Sequence, residues 1–87
     1  MGTLEPLIQT IKSTVAHIKR QPALADELTH QANLIEEVGL DSLEMLQFML
    51  ELESRINRRI DFDRLEYSMF FSLDTLADFL AQMPERA

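Results

Sequence analysis

The chain has 87 residues, a formal net charge of −7 and no cysteine. This length fits one domain with a small core, and the absence of thiols excludes a disulfide framework and a thiolate metal site. The acidic balance argues against nucleic acid as a partner, since nucleic-acid binding requires a basic surface. The sequence has no signal peptide and no apolar run of the ~20 residues that span a membrane. We therefore expect a cytoplasmic monomer that binds neither nucleic acid nor membranes.

Helical periodicity predicts an all-α fold, a small four-helix bundle with three main helices and one short helix. The first helix is expected over 4–20, because apolar residues recur there at three- and four-residue steps. Its stripe consists of Leu4, Leu7, Ile8, Ile11, Val15 and Ile18. A long connection over 21–41 follows, and its apolar residues indicate that it packs across the bundle. These residues are Leu34, Ile35, Val38 and Leu40.

The second half of the chain predicts three further helices within one domain over 1–87. The second helix is expected over 42–56, with Met45 and Phe48 at the margins of a broad apolar face. That face comprises Leu43, Leu46, Met49, Leu50, Leu52 and Ile56. A short third helix is expected over 62–68. The fourth is expected over 73–83, where Ser72 caps the start and Pro84 closes the end.

The segment that joins the long connection to the second helix is the most informative part of the sequence. Gly39 interrupts regular structure, and Asp41 or Ser42 can cap the helix that follows. The start of a helix favours a bound anion such as a phosphate, because its free N–H groups and its dipole point toward the ligand. The residues themselves thus predict a loop that presents one hydroxyl group at a helix N-terminus.

Charge is distributed unevenly around this segment. Between Gln21 and Ser54 there is no Lys or Arg, whereas the acidic residues of that span are Asp26, Glu27, Glu36, Glu37, Asp41, Glu44, Glu51 and Glu53. Two interpretations stay open: a solvated acidic face, or an electrostatic docking surface around Ser42.

The stretch 34–44, Leu-Ile-Glu-Glu-Val-Gly-Leu-Asp-Ser-Leu-Glu, resembles the acyl carrier protein family in the broad sense that includes aminoacyl and aryl carriers. The segments 28–33, 50–53 and 72–76 are also similar to the family's pattern. The resemblance implies that a phosphopantetheinyl transferase attaches 4′-phosphopantetheine from coenzyme A to Ser42. The thiol of that arm would carry an acyl, aryl or aminoacyl group as a thioester between biosynthetic enzymes. The chain itself would not be an enzyme.

The resemblance also implies two further sets of residues. Partner recognition, by acyl-loading and acyl-transfer enzymes with basic docking patches, is assigned to Asp41, Leu43, Glu44, Met45, Gln47, Glu51 and Glu53. A pocket for the carried group is assigned to Leu46, Met49, Tyr67, Phe70 and Phe71. Fatty acid, polyketide, siderophore and antibiotic synthesis all remain open as pathways. Gln47 and the cations Arg55, Arg58 and Arg59 depart from the family's acidic pattern, which weakens an assignment to general fatty acid synthesis.

Other function classes find less support in the sequence. His17 and His30 are the two histidines, and neither belongs to a recognisable triad or zinc-binding spacing. No calcium-loop pattern is present, so we expect no metal. The alternative is a non-enzymatic helical interaction module that has the carrier fold without modification of Ser42. Because the chain starts at Met1 and ends soon after the fourth helix, we expect a discrete carrier rather than a segment of a larger synthase.

Overall fold

A computed structural model describes residues 4–85 as a small helical bundle. The four α-helices are α1 (Glu5–Lys19), α2 (Leu24–Glu27), α3 (Ser42–Ile56) and α4 (Leu73–Ala81), and two 3-10 turns cover Phe62–Arg64 and Tyr67–Phe71. Over 4–85 there is no strand, only an isolated bridge between Arg58 and Glu85. The predicted all-α bundle is confirmed. No helix in this range has the length and hydropathy to cross a membrane.

Helix α1 is the central element of the bundle, because it packs against α2, α3 and α4. Its buried side carries Ile8, Ile11 and Val15, each almost inaccessible to solvent. The helix ends at Arg20, whose left-handed backbone (φ 57°) turns the chain back so that the N–H of residue 21 donates to the carbonyl of Ala16 at 3.0 Å.

The connection between α1 and α3 is packed onto the bundle, as its apolar residues predict. Leu28, Ala32, Leu34 and Leu40 are all buried. Two backbone hydrogen bonds fix its middle: Asp74 N–H donates to the His30 carbonyl at 3.0 Å, and Leu34 N–H donates to the Phe70 carbonyl at 2.9 Å. Because this long segment is anchored at several points, the position at which α3 begins is well defined.

Residues 62–71 differ from the sequence-based expectation of one short helix over 62–68. Two separate 3-10 turns occupy this segment, and Leu65 and Glu66 between them have extended backbones. The Asp61 side chain accepts from the Asp63 N–H at 3.1 Å and begins the first turn, which ends after three residues. Such i→i+3 turns are short because their hydrogen-bond geometry is poor.

Helix α4 begins as predicted, since the Ser72 hydroxyl accepts from the Thr75 N–H at 3.2 Å. It ends at Ala81, two residues before the predicted end, because its last turn tightens into i→i+3 hydrogen bonds. The guanidinium of Arg58 donates to the Met83 carbonyl at 2.8 Å and to the Ala81 carbonyl at 3.4 Å. A cation therefore satisfies carbonyls at the end of α4, where the helix dipole favours positive charge.

Helix α3 buries only part of the broad apolar face that the sequence predicts. Phe48, placed at the margin by the sequence, is fully buried beside Met49 and Leu52. Residues 43, 46 and 50, three of the leucines assigned to the buried face, are exposed. Apolar residues occupy more than half of the circumference of this helix, so periodicity alone does not identify the side that packs.

Candidate functional site

The loop that precedes α3 is shaped by one glycine and one buried leucine. Gly39 has φ 78°, in the left-handed region that L-residues rarely adopt. The following residue, Leu40, is buried, and its N–H donates to the Leu34 carbonyl at 3.2 Å. The turn at Gly39 thus returns the chain to the core immediately before α3 begins.

Replacing Gly39 with Ala is expected to lower the free energy of unfolding by about 1 kcal/mol. No atom lies within 4 Å of a Cβ placed there, so the loss comes from the backbone conformation and not from a clash. Gly39→Asn is the matched control, because Asn tolerates the left-handed region better than Ala does. Urea unfolding should show a smaller loss for Asn, and equal losses for both variants would contradict this explanation.

A reciprocal capping box starts α3. The Asp41 carboxylate accepts from the Glu44 N–H at 2.8 Å, and the Glu44 carboxylate accepts from the Asp41 N–H at 3.1 Å. Of the two caps that the sequence left open, Asp41 is the one that caps the helix. Two of the N–H groups that a helix start leaves without partners are thereby satisfied.

A residue of helix α1 supports the capping box of α3. The ammonium group of Lys19 donates to both carboxylate oxygens of Glu44, at 3.1 and 3.2 Å. Both side chains are largely shielded from solvent, with 18% of Lys19 and 26% of Glu44 exposed. Twenty-five positions separate the two residues, and no local pattern in the sequence indicates that they pair.

Ser42 is the first residue of α3, and it is exposed. Among the hydrogen bonds of residues 4–85, none uses the Ser42 hydroxyl or the N–H groups of Ser42 and Leu43. With Asp41 and Glu44 taken by the capping box, two free N–H groups remain beside this hydroxyl. A phosphodiester on Ser42 would lie next to these donors at the positive end of a 15-residue helix.

A model of the phosphopantetheine attachment site family matches residues 8–82, which is most of the chain. The chain belongs to this family. Neither the curated proteins nor the solved structures compared with it gave a match. Members of the family are carriers and not enzymes themselves, and they bear 4′-phosphopantetheine as a prosthetic group. A carrier domain of this kind interacts with a phosphopantetheinyl transferase and with biosynthetic enzymes.

The charged residues that the sequence assigned to partner recognition all have partners within this carrier domain. Besides the paired Glu44, Glu51 accepts from the Arg55 guanidinium at 2.9 Å. Glu53 accepts from the Ile60 N–H at 2.8 Å and so fixes the turn after α3. These three carboxylates therefore stabilise the domain itself, which is a role that the sequence did not reveal.

The uncharged members of the recognition set lie in different environments. Leu43 and Gln47 are exposed, whereas Met45 is half-buried and packs against the core. The residues assigned to recognition therefore do not form one uniform surface.

The residues assigned to a pocket for the carried group also differ in burial. Met49 and Phe70 belong to the core, while Leu46 is exposed. Tyr67 and Phe71 are exposed too, and their rings meet edge to face with centroids 5.7 Å apart.

Proposed function

We propose that Ser42 is the attachment site for 4′-phosphopantetheine and that this carrier transfers an acyl, aryl or aminoacyl thioester between biosynthetic enzymes. The observation that supports it is the exposed Ser42 hydroxyl at the first position of α3, beside two N–H groups without protein partners. When attached, the arm supplies a thiol, which the chain lacks because it has no cysteine. The N–H groups of Ser42 and Leu43 would donate to the phosphodiester at the base of the arm.

The capping box supports this proposal because it holds the start of α3 without blocking it. Each of the two carboxylates accepts from the backbone N–H of the other residue, and neither is hydrogen-bonded to the Ser42 hydroxyl. The first turn therefore keeps its helical form when the hydroxyl enters the active site of a transferase. Asp41 also lies next to Ser42, where its second carboxylate oxygen is available to the transferase or its Mg²⁺.

We further propose that partner enzymes approach α3 from its exposed side, near the residues assigned to recognition. For the carried group, we propose a site lined by Met49, Tyr67, Phe70 and Phe71 with Leu46 at its rim. The exposed rings of Tyr67 and Phe71, which meet edge to face, support this site because they offer an apolar surface to the carried group. Aromatic and methionine side chains adapt to apolar cargo of different shapes.

The attachment site is tested by mass spectrometry of the intact protein. Incubation with coenzyme A, Mg²⁺ and a broad-specificity transferase should add the mass of one phosphopantetheinyl group to the wild type. Ser42→Ala should gain no mass, because it lacks the hydroxyl group to which the reaction would transfer the phosphopantetheinyl group from coenzyme A. Ser54→Ala is the matched control, since Ser54 is an exposed serine on the same helix, and it should be modified normally.

Two results would contradict the proposal. Modification of Ser42→Ala would place the arm on another residue. A wild-type protein that gains no mass with several transferases would favour an interaction module with the carrier fold and no arm.

A further inference from the structure

One cation reaches the first turn of α3, and it comes from another helix. The Lys19 ammonium donates to both carboxylate oxygens of Glu44, at 3.1 and 3.2 Å. The nearer of these oxygens also accepts from the Asp41 N–H, at 3.1 Å. Because both nitrogens contact the same oxygen, they lie no more than about 6 Å apart. The charge of Lys19 is therefore close to the residue that precedes Ser42.

The surroundings of Ser42 are otherwise acidic. From residue 21 to residue 54 the chain has no Lys or Arg. Asp41 and Glu44 place two carboxylates at the start of α3. Within residues 4–85, Lys19 is the one Lys or Arg that pairs with this first turn. A further negative charge on Ser42 would be repelled by the two carboxylates, and Lys19 is placed to offset that repulsion.

The capping box does not itself require a cation. The Glu44 side chain accepts from the Asp41 N–H through one oxygen, and an amide oxygen could accept the same hydrogen bond. What Lys19 adds is a charge in a shielded position, since 18% of its side chain is exposed. Screening by water and salt is weaker there than at the open surface, so the charge acts more strongly on a nearby anion.

We propose that Lys19 is a positioning residue for the arm, because its ammonium compensates the negative charge of the phosphodiester on Ser42 and keeps the base of the arm at the start of α3. This inference rests on the proposed attachment of the arm to Ser42. The free N–H groups of Ser42 and Leu43 supply hydrogen bonds to the phosphodiester, and Lys19 supplies the full positive charge that they lack. Lys19 should therefore stabilise the fold more after attachment of the arm than before.

The test compares the melting temperatures of the unmodified and the modified protein for matched variants. Modification should raise the melting temperature of the wild type by about 2–5 °C more than that of Lys19→Met, because a charge interaction at a helix N-terminus changes the stability of a small domain by about this amount. Lys12→Met is the matched control, since Lys12 lies two turns earlier on the same side of α1, roughly 10 Å farther along its axis. It should respond to modification as the wild type does.

A second pair of variants covers the case in which Lys19→Met unfolds because Glu44 has lost its cation. Glu44→Gln keeps an acceptor for the Asp41 N–H and retains Lys19. Combining Glu44→Gln with Lys19→Met removes both charges of the pair. Modification should stabilise Glu44→Gln at least as much as the wild type, and it should stabilise the double variant less. The phosphorus NMR resonance of the arm should also differ between these two variants and stay unchanged in Lys12→Met.

Salt provides an independent check. Raising the ionic strength should reduce the difference between the wild type and Lys19→Met, because salt screens charge interactions. An equal response of all variants to modification, with unchanged phosphorus resonances, would overturn the inference, while the proposed function would stand because Ser42 is still modified. A response of Lys12→Met that matches Lys19→Met would also overturn it, since net charge and not position would then be responsible. A wild type that gains no mass with the transferase would contradict both the inference and the proposed function.

Discussion

Phe48→Ala is expected to lower the free energy of unfolding by about 3–5 kcal/mol. Phe48 is fully buried, so its truncation removes apolar contacts and leaves a cavity where α3 faces the core. A domain of this size is only marginally stable, and such a loss is a large part of the total. Urea unfolding followed by circular dichroism measures the effect, and the variant should be partly unfolded at 37 °C.

Phe71→Ala provides the matched control for this prediction. It removes the same side chain from a site that is 45% exposed, where the residue contacts Tyr67 edge to face. We expect a loss of about 1 kcal/mol or less, since solvent already reaches the ring. Similar losses for the two variants would show that Phe48 does not lie in the core as described.

Glu44→Ala is expected to lower the free energy of unfolding by about 2 kcal/mol. The substitution removes the acceptor for the Asp41 N–H and leaves the shielded ammonium of Lys19 without its carboxylate. It also weakens the start of α3, on which the position of Ser42 depends. The measurement is urea unfolding of Glu44→Ala, Lys19→Met and the double variant, which isolates the energy of the pair.

The ion pair of Glu51 with Arg55 is the reference for this double-mutant cycle of Lys19 and Glu44. Its side chains are more exposed, at 39% and 33%, and they lie one turn apart on the same helix. Pairs of this type contribute about 0.3–0.5 kcal/mol. The coupling between Lys19 and Glu44 should exceed this value, and an equal or smaller coupling would contradict a supporting role for α1 at the start of α3.

The sequence predicted those features that a local pattern determines. The apolar stripe of α1 is narrow, so periodicity identified both the helix and its buried side. The caps at Asp41 and Ser72 follow from residue types that accept backbone hydrogen bonds, and both are observed. The residues around Ser42 predicted a hydroxyl group at the start of a helix, and its assignment as the attachment residue came from the resemblance to carrier proteins.

Features that depend on tertiary contacts were not predictable in this way. On α3 apolar residues occupy more than half of the circumference, so the sequence could not show whether Leu46 and Leu50 are exposed or buried. The ion pair of Lys19 with Glu44 joins residues far apart in the sequence, and its existence depends on how α1 crosses α3. Two 3-10 turns occupy the segment where the sequence predicted one helix. The first turn starts at the Asp61 cap and ends at the extended Leu65, and the periodicity of the sequence does not resolve an interruption this short.

The contacts of Arg58 and its neighbour with the end of the chain have a practical consequence for handling this carrier. Arg58 donates to the Met83 carbonyl, and the N–H of Arg59 donates to the Pro84 carbonyl at 2.9 Å, so residues 83–85 are held beside the C-terminal end of α3. Ser42 lies at the other end of that helix, about 21 Å away. A fluorescent label, a solid support or a fused protein attached next to residue 85 would therefore lie at the end of α3 opposite Ser42. Immobilised in that orientation, the molecule would present Ser42 to enzymes in solution.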